Sequence, residues 1–221
     1  ARVDMWDQYE ETSKQWVDLM TGAGLDLPYM WASQRDDGHF YYLFPLENYA
    51  AIDKLQGIFG AAIEKIGKEK WGTFMKKNEA SMETHKDFIA TRSAKYSYWP
   101  KESRLKPEER KFIHWMFFHY KLENRKEVMD IMMEWKKLYQ DKNINNGYTI
   151  WLMELGLDNN MIALTENAMD GADFYSNMEK DNAAMEEEAS ALWAKMAPYI
   201  TSIENHYGNQ RPDLGFMNLE E

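Results

Sequence analysis

Histidine, glutamate and arginine side chains that interrupt apolar stretches are the first candidates for chemistry in this sequence. Glu204 and His206 are two residues apart, so on a strand they would share one face. A carboxylate that orients an imidazole forms an acid–base pair, although a half-solvated strand end explains the same two residues. His114 is the third catalytic candidate, as a proton shuttle or an axial haem ligand, and a hydrogen-bonded core histidine is its alternative.

A shared metal site is not expected at the two histidines of the aromatic run. His114 and His119 are five residues apart, so on a strand they point to opposite faces and cannot bind the same ion. We therefore predict no metal site. No cofactor is predicted either, and haem is kept as an alternative that needs one histidine facing an open cavity.

Large aromatic side chains and one arginine are the candidate ligand-binding residues. Arg92 interrupts an apolar strand, and a buried guanidinium there would need an anionic partner, either a ligand carboxylate or a protein carboxylate. Trp31, Trp115, Tyr148 and Trp151 are predicted to lie near a barrel interior, where they would line an apolar site. The alternative for these rings is ordinary core packing.

The aromatic run KFIHWMFFHYK, residues 111–121, is the element that must position His114. It is short and rich in aromatic residues, which favours a strand. Neither set of alternating side chains is polar, whereas a sheet with one solvated side alternates apolar and polar residues. The run therefore predicts a strand that is covered on both faces.

The composition excludes several classes of function. The 221 residues carry 26 basic and 37 acidic side chains, a net charge of −11, which argues against a nucleic-acid partner. The absence of cysteine excludes disulfides and thiolate chemistry. No apolar run approaches the length of a membrane span, so a soluble protein is expected, cytoplasmic or secreted. The motifs of nucleotide enzymes, serine hydrolases and zinc proteases are also missing from the sequence.

Hydrophobic periodicity predicts helices and hairpins around the aromatic run. Asp, Asn and Gly residues between short apolar runs indicate the two hairpin turns, near residues 35–38 and 156–160. The predicted helices are 4–21, 50–66 with an extension to about 75, 122–141 and 170–196. The predicted strands are those of the two hairpins, the run itself, and 88–96 and 199–207.

Two halves of the chain match each other at a nearly constant spacing. Trp16 falls on Trp135 at an offset of 119, and Trp31 falls on Trp151 at an offset of 120. The second half has the order strand, helix, strand, strand, helix, strand, and the first half has the same order without its opening strand, which we expect to lie upstream. The predicted division is 1–96 for the first repeat, 97–110 for a linker, 111–207 for the second repeat and 208–221 for a tail.

This arrangement resembles the dimeric α/β-barrel superfamily of ferredoxin-like folds. The resemblance implies an α+β fold of two tandem βαββαβ repeats, whose antiparallel sheets pack as the barrel that a homodimer forms elsewhere. It also implies a pocket between helices and sheet in each repeat. The superfamily includes cofactor-free monooxygenases, haem-binding and haem-degrading enzymes and lactone isomerases. No catalytic residue can be transferred from it to a position in this sequence.

Three functional hypotheses follow. The first is a protein that binds a small apolar or aromatic organic molecule, with or without cofactor-independent monooxygenase or isomerase chemistry. The second is a non-catalytic structural or interaction protein with a solidly packed barrel, and the third is a haem binder. The sequence does not decide whether the protein is an enzyme, or whether it is a monomer with internal pseudo-symmetry or a homodimer.

Overall fold

The computed structural model describes residues 1–218. The chain forms two compact units, the first from 1–85 together with the described residues from 209 onwards, and the second from 86–208. Both contain helices and antiparallel strands, which confirms the predicted α+β class. The helices are α1 Trp6–Gly22, α2 Ala51–Ile66, α3 Lys68–Ser81, α4 Arg125–Asp141 and α5 Gly171–Met196. The strands are β1 Tyr29–Arg35, β2 Phe40–Leu43, β3 Ile89–Arg92, β4 Phe112–Tyr120, β5 Tyr148–Leu155, β6 Met161–Ala168, β7 Ile200–Gln210 and β8 Phe216–Met217.

The second unit is built on a sheet in the order β7-β4-β6-β5-β3. The predicted hairpin of β5 and β6 is confirmed, with Ile150 opposite Leu164. Its turn depends on Gly156, which has a φ of +85°, a conformation that only glycine adopts without strain. A Cβ on this residue would also lie 2.1 Å from the carbonyl oxygen of Asp87.

Helices α4 and α5 pack against one face of this sheet. Alternate residues of β4, β5 and β6 meet the apolar stripes of the two helices, as the strand and helix periods require. Fully buried members of this core include Tyr120, Val128, Ile150, Ile162 and Met185. We call this side of the sheet the helix-facing side.

Strand β4 confirms the prediction made for the aromatic run. Its nine residues are all buried or half-buried, so both faces are covered. Phe118 and Tyr120 belong to the helix-facing core, whereas Trp115, on the other face, is 5% exposed.

The first unit contains the other predicted hairpin, in which β1 pairs with β2. Its core lies where α1 meets α2, around Met20 and Ala62. The tail belongs to this unit, because β8 pairs with β1. Arg211 fixes the start of the tail by donating two 2.8 Å hydrogen bonds to the carboxylate of Glu10.

The compact units do not follow the predicted repeat boundaries. Strand β3 ends the first predicted repeat, yet it pairs with β5 and belongs to the second unit. In turn, the last two residues of β7 belong to the first unit. The predicted linker is also packed: Tyr98 is 7% exposed and pairs with Tyr148. The tandem repeat itself stays a prediction.

Candidate functional site

A row of polar side chains crosses the helix-facing side of the second unit's sheet. His114 of β4 lies opposite Glu166 of β6, and Glu166 lies opposite Tyr148 of β5. Asn205 of β7 reaches His114 from the other side. Directly opposite residues on neighbouring strands bring their side chains within about 5 Å. The sheet register therefore assembles one site from four strands.

His114 is the centre of this row. It is 3% exposed, and its two ring nitrogens are both engaged. Nδ1 lies 3.2 Å from Oε2 of Glu166, and Nε2 lies 2.9 Å from Oδ1 of Asn205. A carboxylate only accepts, so Nδ1 carries the proton that faces Glu166. The Asn205 amide can present either oxygen or nitrogen, which leaves Nε2 able to donate or to accept.

Aromatic rings enclose His114. Tyr207 stacks on the imidazole with ring centroids 5.0 Å apart, and Phe174 of α5 lies 4.8 Å away. Phe112 and Tyr175 each contact both of these rings, with ring centroids 5.2 to 6.2 Å apart. These rings, together with its exposure of 3%, shield the imidazole from water.

Tyr148 ends the row with an unused hydroxyl group. Its side chain is buried between Tyr98 and Tyr139, and its hydroxyl has no hydrogen-bond partner among the described residues. Burial, together with the negative charge of Glu166, raises the pKa of Tyr148. The hydroxyl is therefore a protonated donor at neutral pH.

Carboxylates of α5 face this end of the row. Asp173 holds Arg104 of the linker through contacts of 3.0 and 2.8 Å to Nη1, and Arg104 Nε donates to Asn146. Asn146 in turn contacts Asp181. Burial raises the pKa of Asp181 to about 6, with a smaller contribution from the charge of Glu166.

The raised pKa of Asp181 predicts a pH-dependent stability difference. The ordinary value is 3.8, so the folded state binds this proton more tightly, and its stabilising contribution is lost as the pH rises through 6. Asp181→Asn should therefore raise the melting temperature at pH 7.5, and the advantage should disappear near pH 4. Thermal unfolding of both chains between pH 4 and 8 measures this, and a constant difference would contradict it.

A control with the opposite sign is available in the first unit. Arg211 lowers the pKa of Asp213 to about 2, so Asp213→Asn should lower the melting temperature at pH 7.5.

The opposite face of the sheet carries the predicted Glu204–His206 pair. His206 Nε2 lies 3.2 Å from Glu204, as expected, and His119 Nε2 lies 2.9 Å from the same carboxylate. His114 and His119 thus lie on opposite faces, as the sequence predicts. Glu204 has a half-exposed side chain. Within residues 1–218, no group of three or more His, Asp or Glu side chains is arranged to hold a metal ion.

The predicted ligand-binding residues do not form one group. Arg92 is exposed rather than buried, and its guanidinium lies 4.2 Å from the ring centroid of Trp99. Tyr148 is on the helix-facing side, whereas Trp151, three residues later, faces the other way and donates to Thr165. Trp31, in the first unit, is 40% exposed and stacks on Tyr29.

Sequence reasoning missed Glu166 and Asp181, although both left a signal. Glu166 has the same strand parity as the core residues Ile162 and Leu164. Asp181 lies on the α5 stripe that includes Phe174 and Met185, at spacings of seven and four residues. An acidic residue at an apolar position of a periodic pattern is costly, and it could have been recognised on that ground.

Open grooves in the first unit are separate from this row. The larger has a volume of about 570 Å³ and is lined by residues of α1 and by the junction of α2 and α3, including Gln15, Gly67, Lys70 and Lys77. Its lining holds one carboxylate, that of Glu69, among lysines, and no histidine. We therefore place the candidate site at the His114 row of the second unit.

Comparisons with known proteins identify the fold and nothing narrower. No protein-family model matches the chain, and no curated protein does. A solved structure described as an anthrone oxidase-like protein superposes with a TM-score of 0.60 at 9% identity, covering 95% of this chain and 89% of that one. Two others are described as putative monooxygenases. The one from Fusobacterium nucleatum has a TM-score of 0.56 at 12% identity, covering 95% of this chain and 87% of that one. The one from Lactobacillus acidophilus has a TM-score of 0.51 at 8% identity, covering 97% of this chain and 89% of that one.

These likenesses show a shared fold across nearly the whole chain. The identities are too low to carry residue roles from one protein to another. The chain therefore shares its fold with these three proteins, and its function has to be inferred from its own site residues.

Proposed function

We propose that this protein binds a small aromatic molecule between α5 and the sheet of the second unit, and that it oxidises this molecule with dioxygen. The observation that carries the proposal is the buried imidazole of His114, held by the Glu166 carboxylate inside a wall of aromatic rings. The fold likeness to an anthrone oxidase-like protein supports the same chemistry.

The polar row provides a base for the first step. The ligand takes the place of the Asn205 amide at His114 Nε2, and the neutral imidazole then removes a proton from an acidic ring carbon of the ligand. The Glu166 carboxylate, 3.2 Å from Nδ1, stabilises the imidazolium that forms. Asn205 stays within reach to hydrogen-bond to the ligand.

The remaining steps need only dioxygen as co-reactant. For an anthrone, the carbanion is conjugated with the ring carbonyl, and it gives two electrons to dioxygen as a carbon–oxygen bond forms. The resulting peroxide regains the proton from His114. Cleavage of the O–O bond with loss of the second hydrogen on that carbon releases water and leaves a quinone carbonyl. One oxygen atom enters the product and the other leaves as water.

We also propose that the chain is a tandem form of the dimeric α/β-barrel superfamily. The order of elements from α1 to β3 matches the order from α4 to β7, apart from the additional helix α3 in the first half.

The haem alternative has less support from the geometry. Both ring nitrogens of His114 are engaged, and His119 and His206 each direct Nε2 to Glu204. Axial ligation would require one of these bonds to break, as ligand binding at Nε2 does, and it would also require an open side for the iron next to an imidazole that is 3% exposed.

Oxygen uptake with anthrone tests the proposal. Purified chain treated with a chelator, without added metal or flavin, should consume oxygen and form anthraquinone in equal amounts. The rate should exceed that of the same chain after heat unfolding, which controls for spontaneous oxidation. Equal rates for the folded and unfolded chain, or a rate that requires added metal or flavin, would overturn the proposal.

A further inference from the structure

The hydroxyl of Tyr148 is a buried donor that the proposed oxidation does not use. Tyr148 is 4% exposed, and no described residue accepts from its hydroxyl. The neighbouring Tyr98 differs, because its hydroxyl donates to the carbonyl oxygen of Ile144 at 2.6 Å. Buried polar groups are nearly always hydrogen-bonded in folded proteins, so this hydroxyl is available to donate to a ligand atom that accepts, or to water.

The position of Tyr148 relates this donor to the base. Tyr148 and His114 both lie opposite Glu166 on the strands that flank β6. Neighbouring strands lie about 4.8 Å apart, so β4 and β5, on either side of β6, are about 10 Å apart. A fused aromatic ring system is of similar length, so one ligand can contact His114 at one end and Tyr148 at the other.

The charges around Tyr148 restrict which group can accept its proton. Glu166 on β6 and Asp173 and Asp181 on α5 are carboxylates, and Arg104 is already paired with Asp173. Lys180, on the exposed side of α5, is the other cation that acts on Asp181, and Tyr98 and Tyr139 are the remaining titratable neighbours. Glu166 acts on Tyr148 itself, and Asp181 acts on the adjacent Tyr98 and Tyr139. With Asp173 neutralised by Arg104, these two carboxylates make this end of the row negative.

We propose that Tyr148 binds a neutral oxygen group of the ligand, a phenol hydroxyl or a ketone, and that Glu166 and Asp181 exclude ligands with a carboxylate at this position. A phenol hydroxyl satisfies both sides, because it accepts from Tyr148 and donates to a carboxylate. The inference rests on the proposed binding of an aromatic molecule in this space, and it adds the chemical class of its substituent.

Three naphthalene probes test the inference. Binding of naphthalene, 2-naphthol and 2-naphthoate to the full chain is measured at pH 7.5 by probe fluorescence. In the wild-type chain, 2-naphthol should bind about fivefold more tightly than naphthalene, the effect of one net hydrogen bond. The negative surroundings should make 2-naphthoate bind at least about tenfold more weakly than 2-naphthol.

Variants assign these differences to residues. Tyr148→Phe should lower the affinity for 2-naphthol to that for naphthalene. This variant should fold normally, because it removes only an unpaired hydroxyl. Tyr98→Phe is the matched control and should keep the preference for 2-naphthol. Asp181→Asn should reduce the difference in affinity between 2-naphthol and 2-naphthoate.

The outcomes separate this inference from the proposed function. If Tyr148→Phe still binds 2-naphthol more tightly than naphthalene, the inference is overturned. The same result is expected if the Tyr148 hydroxyl donates only to water. Anthrone oxidation is not affected by this outcome. Equal binding of 2-naphthol and 2-naphthoate would overturn the exclusion of carboxylates. Tyr148-dependent binding without oxygen uptake would support the inference and overturn the oxidation. Failure of all three probes to bind would overturn both.

Discussion

Replacement of His114 by glutamine is expected to slow anthrone oxidation by about 10²-fold to 10⁴-fold, the usual contribution of a positioned general base. Glutamine can still hydrogen-bond to Glu166 and Asn205, the two partners of the imidazole, but it cannot take a proton at neutral pH. The loss should therefore appear in kcat, with little change in the binding of 2-naphthol. Initial rates of oxygen uptake measure it.

His119→Gln is the matched control for this variant. His119 lies on the same strand and also bonds to a carboxylate, but it faces the opposite side of the sheet. Its replacement should leave the rate within about twofold of wild type. Glu166→Gln should reduce the rate less than His114→Gln does, because it removes the charge that stabilises the imidazolium but leaves the base in place. A His114→Gln chain that keeps the wild-type rate would exclude His114 as the base.

The largest loss of stability is expected when Arg104 loses its partner. Arg104 and Asp173 are each 12% exposed, and Asp173 also accepts from the backbone N–H of Met169 and from Asn177. Asp173→Asn removes the carboxylate that Arg104 contacts directly, and the loss of such a partner from a buried ion pair costs about 3 kcal/mol. For a chain of this size, that corresponds to a melting temperature lower by roughly 6 to 12 °C.

An exposed ion pair provides the comparison. Lys137 and Asp141 form an i,i+4 pair on α4 with both side chains more than half exposed, and such pairs contribute about 0.5 kcal/mol or less. Asp141→Asn should therefore have a small effect on thermal unfolding. The double variant Arg104→Met/Asp173→Leu should recover part of the lost stability, because neither charge of the pair remains. The recovery is partial because Met169 and Asn177 lose the carboxylate that accepts from them. Equal effects of Asp173→Asn and Asp141→Asn would contradict the burial argument.

The sequence determined those features that depend on local alternation. The aromatic run predicted β4 with both faces covered, and the period of two placed His114 and His119 on opposite sides. The Asp, Asn and Gly turns predicted both hairpins, β1–β2 and β5–β6. These predictions held because strand parity and turn chemistry are properties of a few consecutive residues.

Only the tertiary structure decided which side chains meet. His114 contacts Glu166, 52 positions away, and Asn205, 91 positions away, and such pairs depend on strand order and register rather than on local sequence. The same reason explains Arg92, which was expected to be buried but lies over Trp99 of the linker. The sequence therefore identified the histidine of the site but not its partners, because these are fixed by the packing of strands that are distant in the chain.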